Sequence, residues 1–104
     1  MIIIYCVFRD FEEAQTIGEV LIQKKLAACI NLWTIDSCYR WKGKIEKARE
    51  CAAFIKTGRA KFGKVKEVIR QHHSYEIPCI IELPIGRGRV EGTYLQWVKT
   101  SVRE

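Results

Sequence analysis

The hydrophobic positions of this chain change period several times, and each change predicts a new element. Residues 1–8 form a short apolar run rich in isoleucine, the pattern of a buried strand. Asp10 then reads as a helix cap, with Glu12 and Glu13 in the first turn. Phe11, Ala14, Ile17 and Leu21 mark a helical stripe that ends near Lys24 and Lys25. From residue 28 to about residue 41 the period falls to two, with Cys29, Trp33, Ile35, Tyr39 and Trp41 on one parity. Asn31 and Ser37 interrupt that parity, so a bulge is expected within residues 34–37. Trp41-Lys42-Gly43-Lys44 signals a hairpin, because Gly43 can take the positive φ of a tight turn. A return strand runs from about residue 45 to 57. Phe62, Val65, Ile69 and His72 then recur at helical spacing within residues 59–73, and residues 79–85 read as another strand. Beyond Gly86 and Gly88, Tyr94, Trp97, Val98 and Val102 mark a short terminal helix.

The resulting order, β-α-β-β-α-β followed by α, is an α+β pattern: a ferredoxin-like sandwich, antiparallel sheet on one side and helices on the other. Residues 1–104 read as a single domain. Two features do not suit an isolated copy. Ile2, Ile4, Cys6 and Phe8 share one face of the first strand, yet Ile3, Tyr5 and Val7 make the other face apolar as well. An exposed second face would be an apolar patch of several hundred Å², which soluble monomers seldom carry. The hairpin arms are also about a dozen residues each, against a usual strand of roughly 5–6. Both anomalies disappear if identical subunits bury their sheet faces together and pair through the hairpins.

Composition changes this picture little. The chain carries 18 Lys+Arg against 12 Asp+Glu, a net +6 spread along its length, which fits a solvated surface better than a polyanion-binding stripe. Five cysteines, an odd number with no C-x-x-C pair, support neither a disulfide framework nor a zinc ribbon. Free thiols suit a reducing compartment, and the first apolar run is too short for a signal peptide or membrane span, so a cytoplasmic location is expected.

Candidate chemistry centres on the run HHSYEIP at residues 72–78. A histidine at a helix C-terminus is favoured by the dipole, and Pro78 biases Ile77 toward an extended conformation, so the run is readable as a helix stop. That reading is the stronger one on composition alone; the functional one is a site in which His73, Tyr75 and Glu76 leave the helix together. Imidazole with carboxylate can bind copper, zinc or nickel, or move a proton. Cys29 is a core thiol by default but also a soft ligand for copper, and Asn31 on the same strand face could orient it. Tyr39 and Trp41 fit subunit packing. The GRGR run at residues 86–89 lacks P-loop spacing, and no catalytic nucleophile can be named from the sequence.

LAACIN at 26–31, YRWKGKIE at 39–46, FIKT at 54–57 and HSYEIP at 73–78, in this order and spacing, resemble the CutA divalent-ion tolerance proteins. That family's pattern reads HPYE-x-P, so Ser74 stands where a proline is usual. The resemblance implies a ferredoxin-like fold assembled as a homotrimer, with hairpins binding neighbours. It also implies association with divalent-cation tolerance, copper in particular, and a trimer similar to the P-II signalling proteins, whose ligands sit between subunits. On that basis Cys29, His73 and Glu76 are the expected metal ligands, and Asn31, Tyr39, Trp41 and Tyr75 are expected at the cleft or subunit interface. No cofactor is required, no enzyme activity is expected, and the expected partners are other copies and divalent metal ions, not membrane or nucleic acid. Two alternatives stay open. One is a small-ligand or RNA-binding module, although CAAFIKTG lacks the K/R-G-F/Y element of RNA recognition. The other is a small acid–base enzyme using His73 and Glu76.

Overall fold

The computed structural model describes residues 1–103. In chain order it contains β1 (Ile2–Phe8), α1 (Phe11–Gln23), β2 (Cys29–Trp41), β3 (Lys44–Thr57), α2 (Phe62–His72), β4 (Ile80–Pro84) and α3 (Gly92–Ser101), with a 3₁₀ turn at Arg59–Lys61 leading into α2. The sheet is antiparallel with strand order β2-β3-β1-β4, the ferredoxin-like arrangement.

The apolar stripes explain why the helices lie where they do. Ala14, Ile17 and Leu21 of α1 and Val65 and Ile69 of α2 bury against Ile2, Ile4, Cys6 and Phe8, all four fully inaccessible. Ile55, Ala53 and Cys51, their register partners on β3, complete the same layer. Gly18 lets α1 sit tightly on β2, since a Cβ there would stand 3.0 Å from the Ile30 side chain. The Asp10 carboxylate caps α1 as expected, accepting from the Glu13 N–H at 2.8 Å. His72 closes α2, its Nδ1 bonding the Val68 carbonyl at 2.8 Å, while the side chain stays outside the core stripe. Glu91 caps α3 through the N–H groups of Thr93 and Tyr94, and Val98 and Val102 anchor that helix.

The hairpin departs from the sequence reading in one respect. β2 and β3 pair without interruption from Cys29↔Lys56 to Trp41↔Lys44, so the bulge expected within residues 34–37 does not occur. Asn31 and Ser37 interrupt the apolar parity because their face is not covered by helices and need not be continuously apolar. At the tip Lys42 and Gly43 both have positive φ, 49° and 79°, which makes a two-residue type I′ turn whose twist matches the strands. β1 reaches only to Cys51 of β3, so Ile35–Trp41 and Lys44–Glu50 run on as a two-stranded ribbon. Seven residues at ~3.3 Å each carry it roughly 20 Å past the sheet, and the chain measures 45 × 26 × 21 Å in consequence.

The face away from the helices is open. Tyr5, Trp33 and Phe54 form an aromatic cluster on it, with Trp33 and Phe54 edge to face at 4.9 Å between centroids. Ile81 and Leu83 extend this face at 49% and 37% exposure. Tyr94 of α3 meets Lys56 at one end of it, its ring 5.3 Å from the ammonium, while Trp33, Ile81 and Leu83 stay exposed.

Candidate functional site

A groove of about 650 Å³ runs between the hairpin ribbon and the segment that follows α2. Val7 floors it. Ser37, Tyr39, Arg40, Trp41 and Glu50 line the ribbon side, and residues 74–77 with Cys79 line the other. Tyr39, Trp41, Tyr75 and Glu76, all expected near a cleft or metal, are therefore brought together.

His73 is present too, but beneath the groove rather than in it. Its side chain is fully buried and stacked on Phe8 at 5.1 Å. Nδ1 accepts from the Tyr75 N–H at 3.0 Å, which leaves Nε2–H to donate to the Val7 carbonyl at 2.7 Å. That pairing assigns the neutral ring with its proton on Nε2. Both nitrogens are engaged, so His73 orients the chain at Tyr75 instead of presenting a free lone pair. Within one subunit both ring nitrogens of His73 are therefore taken, and neither is open toward Glu76.

Cys29 and Asn31 stand elsewhere. The Cys29 thiol points its Sγ at Asn31 Oδ1, 4.0 Å away. Cys29 is level with Lys56 and Ile3, whereas His73 packs against Val7 and Phe8. Four to five residues of strand separate those levels, roughly 15 Å. Among the described residues no three His, Cys, Asp or Glu side chains gather into a group that could hold a metal ion. A copper site built from Cys29, His73 and Glu76 does not fit inside one subunit.

Two carboxylates of the site escaped sequence reasoning. Glu13 was legible only as a first-turn acid of α1. It also ties the site to that helix, one oxygen accepting from the Arg9 N–H and the other from the Ser74 N–H, each at 3.1 Å. Glu50 is the more consequential. It is 7% exposed and accepts from the Tyr75 hydroxyl at 2.5 Å. Its only sequence signal is an acid at the border between the charged arm KIEKARE and the apolar CAAFI. Burial, then the bond to Glu50 and its charge, push the Tyr75 phenol above its ordinary range. Burial, with a smaller push from Glu50, raises the Cys79 thiol. Both groups are thereby held protonated near neutrality, as donors rather than nucleophiles.

All five cysteines are free thiols, Cys6 and Cys51 buried and Cys38 exposed. No helix among the described residues is long and apolar enough to cross a membrane.

Comparison with known proteins agrees with this architecture. The family model for the CutA1 divalent ion tolerance protein matches residues 2–101. The divalent-cation tolerance protein CutA of Archaeoglobus fulgidus is 43% identical over 99 residues, 95% of each chain, and that of Thermotoga maritima 39% identical over 102 residues, 98% of this chain and 99% of its own. A solved structure of the Archaeoglobus protein, described as periplasmic, superposes with a TM-score of 0.94 at 41% identity, covering 98% of both chains. A PII-like CutA from Nostoc, 24% identical with a TM-score of 0.92 over 99% of this chain and 98% of its own, shares the fold. With the family model spanning nearly the whole chain and relatives of this similarity, the protein belongs to the CutA1 divalent ion tolerance family.

Proposed function

We propose that this chain works as a cytoplasmic homotrimer in the response to divalent cations, binding copper or another divalent metal and signalling in a P-II-like way. The observation that carries the reading is the placement of the groove. Its ribbon wall projects past the sheet, beside an apolar open face that a second copy would bury. A concavity bounded by such a ribbon is completed by neighbours, and a subunit-completed cleft can change shape with occupancy. Residues 1–104 act in this reading as one domain. Five free thiols support the reducing cytoplasm.

Metal donors are drawn from more than one subunit. Glu76, exposed at the groove, leads. Cys29 joins it across a subunit boundary, and His73 joins only by releasing the Val7 carbonyl. Calorimetric titration with copper tests this on the native assembly. Glu76→Gln is expected to weaken binding most, then Cys29→Ser. Unchanged affinity in these variants and in His73→Ala would remove the three residues from the role.

A further inference from the structure

We propose that the groove is a binding site for a small organic cation, an alkylammonium held by the Glu50 carboxylate within a wall of Tyr39, Trp41 and Tyr75. The argument begins with Glu50. It lines the groove and is more than nine-tenths buried. One carboxylate oxygen takes the Tyr75 hydroxyl, and among the described residues no cation pairs with the other. A buried carboxylate is costly unless a positive partner compensates it. Its charge is felt around the groove, since it is among the causes raising Tyr75, Cys79 and Tyr5.

The walls fit the same ligand. Three aromatic side chains and a second carboxylate, that of Glu76, line one concavity, and aromatic faces attract ammonium groups. Trp41 already does so: the Lys42 ammonium lies over its ring, 5.7 Å from the centroid. Arg40 reaches the rim, but its register opposite Ile45 puts it on the other face of the ribbon from Tyr39 and Trp41. Two carboxylates without imidazole or thiolate in reach suit an organic cation better than a copper cage. The inference uses the groove of the functional reading above but does not depend on metal.

Choline and its uncharged isostere 3,3-dimethylbutan-1-ol separate charge from shape. Both are titrated calorimetrically into the native assembly with EDTA present, so that metal plays no part. Saturable choline binding is expected, with the isostere weaker by about tenfold or more. Glu50→Gln should lower choline affinity by a similar factor while native mass and melting temperature hold, because glutamine still accepts from Tyr75. If that variant fails to fold, Trp41→Leu at the exposed ribbon is expected to show the loss. No saturable binding, including because a lysine or arginine of a second copy fills the groove, overturns the proposal. Equal affinity for the isostere, or no loss in either folded variant, overturns it too. A separate copper titration without EDTA reads the metal proposal, so each can fail alone.

Discussion

The two faces of β1 serve different ends. Ile2, Ile4, Cys6 and Phe8 are sealed beneath α1 and α2, and their exclusion from water drives the subunit to fold. Ile3, Tyr5 and Val7, one residue out of step, lie half-exposed beside Trp33 and Phe54 on the open face. The strand is apolar on both sides, yet only one side is satisfied within the chain. The helix-covered face makes the fold, the open face is the one the proposed trimer would bury, and a one-residue shift in register would exchange them.

Substitutions can break or sharpen that division. The largest effect is expected on the covered face. Ile4→Ala leaves a cavity between sheet and helices and should cost about 2–5 kcal/mol in denaturant unfolding. Ile3→Ala, on the open face, should instead change mainly the concentration dependence of unfolding, as association linkage requires. A comparable cost for both in a dissociated subunit would contradict the division.

The adjacent histidines sharpen it at the groove. His73→Ala removes a buried ring and strands the Val7 carbonyl and the Tyr75 N–H, a loss of about 2–3 kcal/mol. His72→Ala removes only an exposed helix cap and should cost under about 1 kcal/mol. Thermal unfolding of the pair at one protein concentration reads the difference directly.

The smallest effects are in pH dependence, and two regions differ in sign. At the exposed start of α1, the Glu13 N–H bond, and then Arg9, hold the Asp10 carboxyl below its ordinary value. A depressed carboxylate contributes stability above its unfolded range, near pH 4, that is lost as pH falls through the folded value. Asp10→Asn keeps an acceptor at the cap and should flatten that acid limb. At the groove the Tyr75 phenol is raised. Its contribution is fully present below about pH 10 and is lost as pH rises beyond it. Tyr75→Phe should flatten the alkaline limb, and stability curves against pH measure both.

Periodicity carried most of the fold. The elements of β1, α1, the hairpin and α2 are legible because apolar stripes of period two and 3.6 face a core, and Asp10 and Gly43 punctuate them. The bulge was misjudged for the same reason, since polar interruptions mean little on a face with no core beneath it. The site was legible only in part. Tyr39, Trp41, Tyr75 and Glu76 converge as expected, but the burial of His73 depends on Phe8 and Val7, more than sixty residues away in sequence. Glu13 and Glu50 were invisible because their partners, Ser74 and Tyr75, come from another element. Long-range polar pairing leaves no period to read.

The central claim is that the open face and ribbon are completed by copies of this chain. Native mass spectrometry at micromolar concentration, on the wild type and on Phe54→Glu, tests it most directly. The account predicts three copies for the wild type and one folded copy for the variant, whose carboxylate would be buried without a partner in the assembly. A wild type that runs as a single copy, or a variant that still holds three, would contradict it.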